Sequence, residues 1–242
     1  AVDTEEGQLI KPEDIDERLK SRQPYKAWLA QHTKKLCTAR NDDPLTVAPF
    51  DKATLKVHEK QYQLTFEERD QVLKVLAEAG QEAIGSMGDD IPMPVLSRKV
   101  RSLYDYFRQQ FAQVTNPAID SIREEVIMSL ECLIGPEKNL LESKPENANR
   151  LRVKNPILSD KELKSITNFK GNGWKARVLD ITYSKTDGHE GMVKRLDQIC
   201  FEAEKATDQG HGFIVLSDKL VDKDKVAISS LLACSTVNNY LI

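Results

Sequence analysis

The chain has 242 residues, 40% of them hydrophobic and 30% charged, and its 35 Lys and Arg against 38 Asp and Glu leave a formal charge of −3. This composition excludes collagen-like, disordered and membrane-spanning classes, and the length is enough to bury a real core without staples. No basic stripe marks a nucleic-acid face, and no apolar run reaches the roughly 20 residues that cross a bilayer.

In chain order, Val2-Asp-Thr4, Gly7 and Gln8-Leu-Ile10 have the pattern of a short hairpin. Pro12 suits a helix's first turn, and Ile15 and Leu19 give that helix one apolar face. Pro24 opens a second short helix through Tyr25, Trp28 and Leu29. Thr38 to Phe50 is polar, broken by proline and read as a loop. Asp51 caps a helix running through Leu55 to about Tyr62. Thr65-Phe-Glu-Glu68 is a capping box, opening a helix through Val72, Leu73, Leu76 and Ala79 that Gly80 stops. Residues 85–90 and Pro92-Met-Pro94 read as an irregular loop. An amphipathic helix is predicted through Leu103, Tyr104, Phe107, Gln110 and Phe111, ended at Thr115-Asn-Pro117 because proline pushes its predecessor out of the α region.

The rhythm then changes. Val126–Leu130, Arg150–Val153, Arg177–Tyr183 and Gly212–Ser217 read as strands, with a helix through Met192, Leu196, Ile199, Cys200 and Ala203 between the last two. Strand, helix, strand is a βαβ unit, for which parallel pairing is expected. A last helix spans Ser229 to Leu241. The expected fold class is α/β: a helical N-terminal part leading into a parallel-strand βαβ part, dividing near residue 125.

The chain carries little recognisable chemistry. His32, His58, His189 and His211 are scattered without metal-ligand spacing. Cys37, Cys132, Cys200 and Cys234 lie 95, 68 and 34 residues apart, the spacing of reduced thiols in a cytoplasmic protein rather than of a disulfide framework or an iron–sulfur site. Gly171-Asn-Gly173 and Gly85-Ser-Met-Gly88 complete no phosphate-binding motif and read as turns. No nucleophile elbow is present. Asp89-Asp90 and Glu124-Glu125 are carboxylate pairs of the kind helix starts favour. No catalytic, cofactor or metal residue is therefore assigned. Asp105, Arg108, Gln109, Gln110 and Gln113 would circle their helix, so some must turn inward, where amides and guanidinium groups need partners. The N-terminus, Ala-Val-Asp-Thr-Glu-Glu-Gly, has neither an initiator Met nor a signal sequence, and is expected to be cut from something longer.

Several of these same segments carry a family resemblance. Gly80-Gln-Glu-Ala-Ile-Gly-Ser-Met-Gly-Asp-Asp90, Val95-Leu-Ser97, Tyr104-Asp-Tyr-Phe-Arg-Gln-Gln-Phe-Ala-Gln-Val-Thr-Asn-Pro117 and Ile119-Asp-Ser-Ile-Arg-Glu124 resemble the central domain of the glutamate synthase large subunit. The likeness continues through Met128-Ser-Leu130, Gly135-Pro136, Asn139-Leu-Leu141, Pro156-Ile-Leu158, Leu179-Asp-Ile-Thr182 and Leu216-Ser-Asp218. Val2–Gly7 resembles the tail of the amidotransferase domain that precedes it, so residues 1–10 are expected to be that tail and 11–242 the central domain.

The resemblance implies an enzyme that makes two glutamates from glutamine, 2-oxoglutarate and two electrons. Its amidotransferase domain uses an N-terminal cysteine, whereas this chain begins with Ala1. Its FMN-binding domain, which also holds an iron–sulfur cluster, follows the central domain. A reductase subunit or ferredoxin supplies electrons to the parent enzyme. The central domain, similar to an incomplete barrel, joins the two and contributes walls to an internal ammonia tunnel. By this likeness Val114, Thr115, Asn116 and Pro117 match the tunnel-lining segment, with Thr115 and Asn116 the expected constriction. Gly85, Ser86, Met87, Gly88 and Asp89 form a second candidate wall. Ala118 stands where the family often has a second proline, which loosens this loop. Two other readings stay open at this point: a free-standing scaffold or interaction module, and a small-molecule binder at the βαβ strand ends.

Overall fold

The computed structural model describes residues 1–36, 50–84, 95–107, 114, 117–136, 138–169 and 173–242. In chain order its elements are β1 (Val2–Asp3), β2 (Gln8–Leu9), α1 (Pro12–Ser21), α2 (Tyr25–His32), β3 (Lys34–Lys35), α3 (Lys52–Gln61), α4 (Lys74–Ala79), α5 (Glu124–Ile127), β4 (Cys132–Ile134), β5 (Leu151–Val153), α6 (Asp160–Thr167), β6 (Lys175–Asp180), β7 (Thr182–Ser184), α7 (Gly188–Asp208), β8 (His211–Ser217), β9 (Lys225–Ala227) and α8 (Ser230–Leu241). They form two compact units, residues 1–41, 120–177 and 207–214 in the first and 42–119, 178–206 and 215–242 in the second.

In the first unit, β1 and β2 make the expected hairpin, with Val2 opposite Leu9. A three-stranded sheet has the order β3-β5-β4, β3 parallel and β4 antiparallel to β5. Leu151, Val153, Ile166 and Trp174 form the core beside this sheet, with Leu36, Ile134, Leu158, Phe169 and Phe213 packed against them. Trp174 is 1% exposed. Its ring lies 5.3 Å from Phe169 and 5.6 Å from Phe213, and its indole N–H donates to Asn149 Oδ1 at 3.2 Å. A buried indole needs that acceptor. Gly135 turns the chain after β4 at φ +135°, a conformation L side chains rarely adopt.

The second unit is built on α7 and α8. Ile199, Cys200, Ala203 and Ala206 are the buried residues of α7, spaced as one helical face, and Ala233 and Val237 are those of α8. Burying a side chain the size of Ile199 contributes about 1.5–3 kcal/mol. Phe201 meets Tyr240 edge-on at 5.9 Å, and the Tyr240 hydroxyl donates to Glu204 at 2.9 Å, so both ends of that contact tie α8 to α7. β7 and β9 form an antiparallel pair. β6 and β8, whose ends 178–180 and 215–217 belong to this unit, pair as a further sheet, joined through α7 in the strand–helix–strand order expected. The fold class is α/β, with small parallel and mixed sheets. No sheet among the described residues exceeds three strands.

Local chemistry explains most helix starts. Asp51 accepts from the amides of Ala53 and Thr54 at 2.8 and 3.0 Å to cap α3, and those bonds hold its carboxyl below the ordinary range. At the Thr65 capping box, Thr65 N–H donates to Glu68 and Glu68 N–H donates to Thr65 Oγ1. The helical stretch it opens begins as π-helix over Glu68–Leu73 and becomes α4, ending at Gly80 with φ +60°.

Three expectations need correction. Val126–Leu130 is not a strand: α5 covers Glu124–Ile127, and the strand is β4, beginning at Cys132. A short apolar run does not separate helix from strand. Here Asp120 decides, because its carboxylate accepts from Ile122 and Arg123 N–H and so winds the turn that enters α5. The predicted strand 177–183 is broken at Ile181. Asp180 accepts from Thr182 N–H and Oγ1, and Ile181 instead donates to Ser217 and accepts from Ile228. The helix predicted from Leu103 is a 3-10 turn over Leu103–Tyr106, from which Phe107 departs extended at φ −96°, ψ 129°. Residues 108–113 of that prediction, with Arg108, Gln109, Gln110 and Gln113, lie outside the described residues, as does the predicted loop at 38–49.

Candidate functional site

The segment singled out by sequence lies in the second unit. Ser102 accepts from Tyr104 N–H at the start of the 3-10 turn, and Arg101 pairs with Asp105 at 3.2 Å. Tyr104 and Ser230 share a hydroxyl–hydroxyl hydrogen bond of 2.9 Å, which ties this turn to the start of α8. Of the candidate tunnel residues, Val114 is 72% exposed and Pro117 is exposed. Thr115 and Asn116 lie outside the described residues, as do Gly85, Ser86, Met87, Gly88 and Asp89.

The motif Leu179-Asp-Ile-Thr182 builds a polar cluster with α7. Arg195, on α7, donates twice to the carbonyl oxygen of Asp180, from Nε at 3.1 Å and Nη2 at 2.6 Å. Its Nη1 donates to Glu202 at 2.9 Å and to Gln198 at 3.2 Å. The Asp180 carboxylate is occupied by Thr182, as above. This arrangement clamps the end of β6 to α7. On α3, His58 Nδ1 lies 3.2 Å from Gln61 Oε1, and Gln61 Nε2 donates to the Asp218 carbonyl.

Cys132, Cys200 and Cys234 are free thiols. Burial, with the Asp197 charge beside it, pushes the Cys200 thiol up, which favours the protonated, unreactive form. Among the described residues no group of three or more His, Cys, Asp or Glu side chains is placed to hold a metal ion, so they do not fit an iron–sulfur cluster. Two hollows of the first unit carry mixed charge. One of about 420 Å³ carries Asp14 and Glu17 against a single Arg18. One of about 370 Å³ has only Lys138 and His32 against Glu146. No helix among the described residues is long and apolar enough to cross a membrane.

Two connections were missed from sequence for a simple reason. Tyr104–Ser230 spans 126 residues and Trp174–Asn149 spans 25, and no local pattern encodes either. The capping box Ser159-Asp-Lys-Glu162 that opens α6 is a readable signal of the same form as the one at Thr65.

Fold and site together define an α/β chain in which Arg195 and Tyr104 tie together elements that lie apart in sequence. Residues 57–242 match the family described as the glutamate synthase central domain. The whole chain is 37% identical to the NADH glutamate synthase of Schizosaccharomyces pombe, of which it covers 12%. It is 36% identical to the chloroplastic ferredoxin-dependent glutamate synthase of Oryza sativa subsp. japonica, of which it covers 15%. It is 34% identical to the NADPH glutamate synthase large chain of Azospirillum brasilense, of which it covers 16%. The chain belongs to the glutamate synthase central domain family, and it spans about an eighth to a sixth of the length of these relatives.

Proposed function

We propose that this chain is the connecting domain of a glutamate synthase large chain and lines part of an internal ammonia passage, without catalysing a step itself. On this reading residues 1–10 are the tail of a preceding amidotransferase domain and 11–242 the central domain. The partners are that domain and an FMN-binding domain of the same polypeptide, with a reductase subunit or ferredoxin as the parent's electron source. FMN and the iron–sulfur cluster belong to the neighbouring domain, and the parent converts glutamine and 2-oxoglutarate to two glutamates. The compartment proposed is the cytoplasm, whereas the Oryza relative is named chloroplastic.

The observation that carries this reading is the alignment of the entire chain with glutamate synthases, of which it makes up only 12–16%. The polar clusters support it too, since Asp180, Arg195 and Thr182 are already bonded to one another. A passage for ammonia needs walls that exclude bulk water, not titrating groups that would protonate the cargo. In this role the loop at Val114, Thr115, Asn116 and Pro117 is one wall and the loop from Gly85 to Asp89 the other, and fixed loops can close the route until both ends are occupied.

The test is Thr115→Trp or Asn116→Trp in the full-length enzyme. Glutamine hydrolysis is expected to continue while glutamate formation falls and ammonia appears in the medium. An unchanged ratio of glutamine hydrolysed to glutamate formed in both variants refutes the passage role.

A further inference from the structure

Four segments of the first unit that lie apart in sequence meet around the hollow of about 370 Å³. His32 ends α2, Pro136 and Lys138 follow β4, Glu146 and Asn149 belong to the 3-10 turn Pro145–Ala148 and its cap, and Gly173 precedes β6. These walls are tied to one another. Thr33 Oγ1 donates to the Ala148 carbonyl at 3.0 Å, and Arg150 Nη1 donates to the Gly135 carbonyl at 2.9 Å. The Trp174 indole, which can only donate, takes Asn149 Oδ1, so the Asn149 amide keeps both N–H bonds of Nδ2 for another acceptor. A Cβ at Gly173 would stand 3.3 Å from Pro136 Cγ, so glycine leaves that side of the hollow open. Among the described residues no hydrogen bond or ion pair engages the His32 ring, the Lys138 ammonium or the Glu146 carboxylate.

The lining selects a ligand by charge and by its balance of donors. Lys138, Asn149 and His32 each bring a donor group, and Glu146 alone brings a carboxylate acceptor. A simple carboxylate or phosphate would set a like charge against Glu146, and an amine alone would leave the donors unmatched. A molecule with two carboxylates and one ammonium answers both, and its charged contacts are the stronger kind of hydrogen bond. The volume is at the low end of the roughly 300–1,000 Å³ of small-molecule sites, which suits so small a ligand. We propose that the hollow binds a free acidic amino acid, with its carboxylates on Lys138, Asn149 and His32 and its ammonium on Glu146. This role is additional to the passage role proposed above.

Lys138 reports on occupancy. In the full-length protein, formaldehyde with cyanoborohydride methylates accessible lysines, and peptide mass spectrometry gives the rate at each one. The quantity read is the rate at Lys138 divided by that at Lys154, an exposed lysine of the same unit, which cancels any reagent consumed by the added amino acid. Saturating L-glutamate is expected to lower this ratio at least ~5-fold, since only the unliganded fraction reacts. Glutarate, with the same two carboxylates and no ammonium, is expected to lower it by less than about 2-fold at the same concentration. In Glu146→Gln, a change at an exposed turn position, L-glutamate is expected to protect no better than glutarate does in the unaltered protein. An unchanged ratio with L-glutamate overturns the proposal. So does equal protection by glutarate, which would make the hollow a general anion site. Full protection in Glu146→Gln overturns it as well, because the bound amino acid would then lie elsewhere in the polypeptide. If the Thr115→Trp enzyme uncouples while Lys138 stays unprotected, only the hollow fails; if Lys138 is protected while that enzyme stays coupled, only the passage fails.

Discussion

Gly135→Ala tests whether the core of the first unit is as tightly specified as its geometry implies. A Cβ at position 135 would stand 2.9 Å from Trp174 Cη2 and 3.1 Å from Cζ3, with the Asn149 carbonyl oxygen at 3.5 Å. Ordinary carbon–carbon contact is about 3.5–4.0 Å. The indole cannot retreat freely, because Phe169 and Phe213 flank it and Asn149 holds its N–H. Two costs add. Placing a non-glycine residue at φ +135° costs about 1–3 kcal/mol, and forcing extra volume against a packed ring costs about 1–3 kcal/mol more. A loss of about 2–6 kcal/mol is a large part of the roughly 5–15 kcal/mol that holds a typical domain together. Urea unfolding followed by tryptophan fluorescence and far-UV circular dichroism measures it. Gly210→Ala is the matched control, since Gly210 lies in the same unit at φ +75° with nothing within 4 Å of its Cβ. That variant carries the backbone cost alone, about 1–2 kcal/mol. If Gly135→Ala costs no more than Gly210→Ala, the contact with Trp174 is not rigid and the reasoning fails.

Asn149→Ala strands the Trp174 N–H in the interior and is expected to cost about 1–3 kcal/mol, whereas Asn149→Asp keeps an acceptor and costs less; equal urea midpoints for the two would contradict this. Stability is also expected to fall in alkali. The hydrogen bond to Glu204, then burial, raises the Tyr240 hydroxyl above the ordinary 10.0, and burial with the Asp218 charge raises Tyr62. A raised value in the folded state means the proton is held more tightly there, so the contribution is complete below pH 10.0 and is lost as pH rises through the folded-state values. The decline of the urea midpoint above about pH 10 should be shallower in Tyr62→Phe/Tyr240→Phe; an identical decline would show that neither hydroxyl contributes.

What the sequence discloses is mostly what a few neighbouring residues decide. The Thr65–Glu68 box, the Asp51 cap and the Gly80 stop are each complete within four residues, and the structure forms all three. Errors arise where a local pattern permits two outcomes and a nearby side chain selects one. Val126-Ile-Met-Ser-Leu130 suits a strand, yet the Asp120 carboxylate winds the preceding turn into α5. The run from Arg177 to Tyr183 suits one long strand, yet Asp180 folds back on Thr182 and divides it. The order β6, α7, β8 is legible because it needs only the alternation of periodicities. The partners of Tyr104 and Trp174 are not legible, because their positions are set by the folded chain. For the candidate site, sequence order carries the family likeness, and the structure adds the exposure of Val114 and Pro117.

The same physics explains why chemistry-seeking motifs find so little purchase here. A general base needs a lone pair free to take a proton, and a nucleophile needs its ionised form within reach at working pH. Asp180 has one carboxylate oxygen on an amide and the other on a hydroxyl. Arg195 spends its donors on a backbone carbonyl and on Gln198 and Glu202, and burial drives Cys200 toward the neutral thiol. The Arg195 guanidinium joins α7 to the end of β6. Interactions of that kind fix the relative positions of strand and helix ends within a unit. For a domain of this sort the informative residues are those that hold geometry, Gly135, Trp174, Asn149 and Arg195 among them, and perturbing them tests the fold on which any passage or binding role depends.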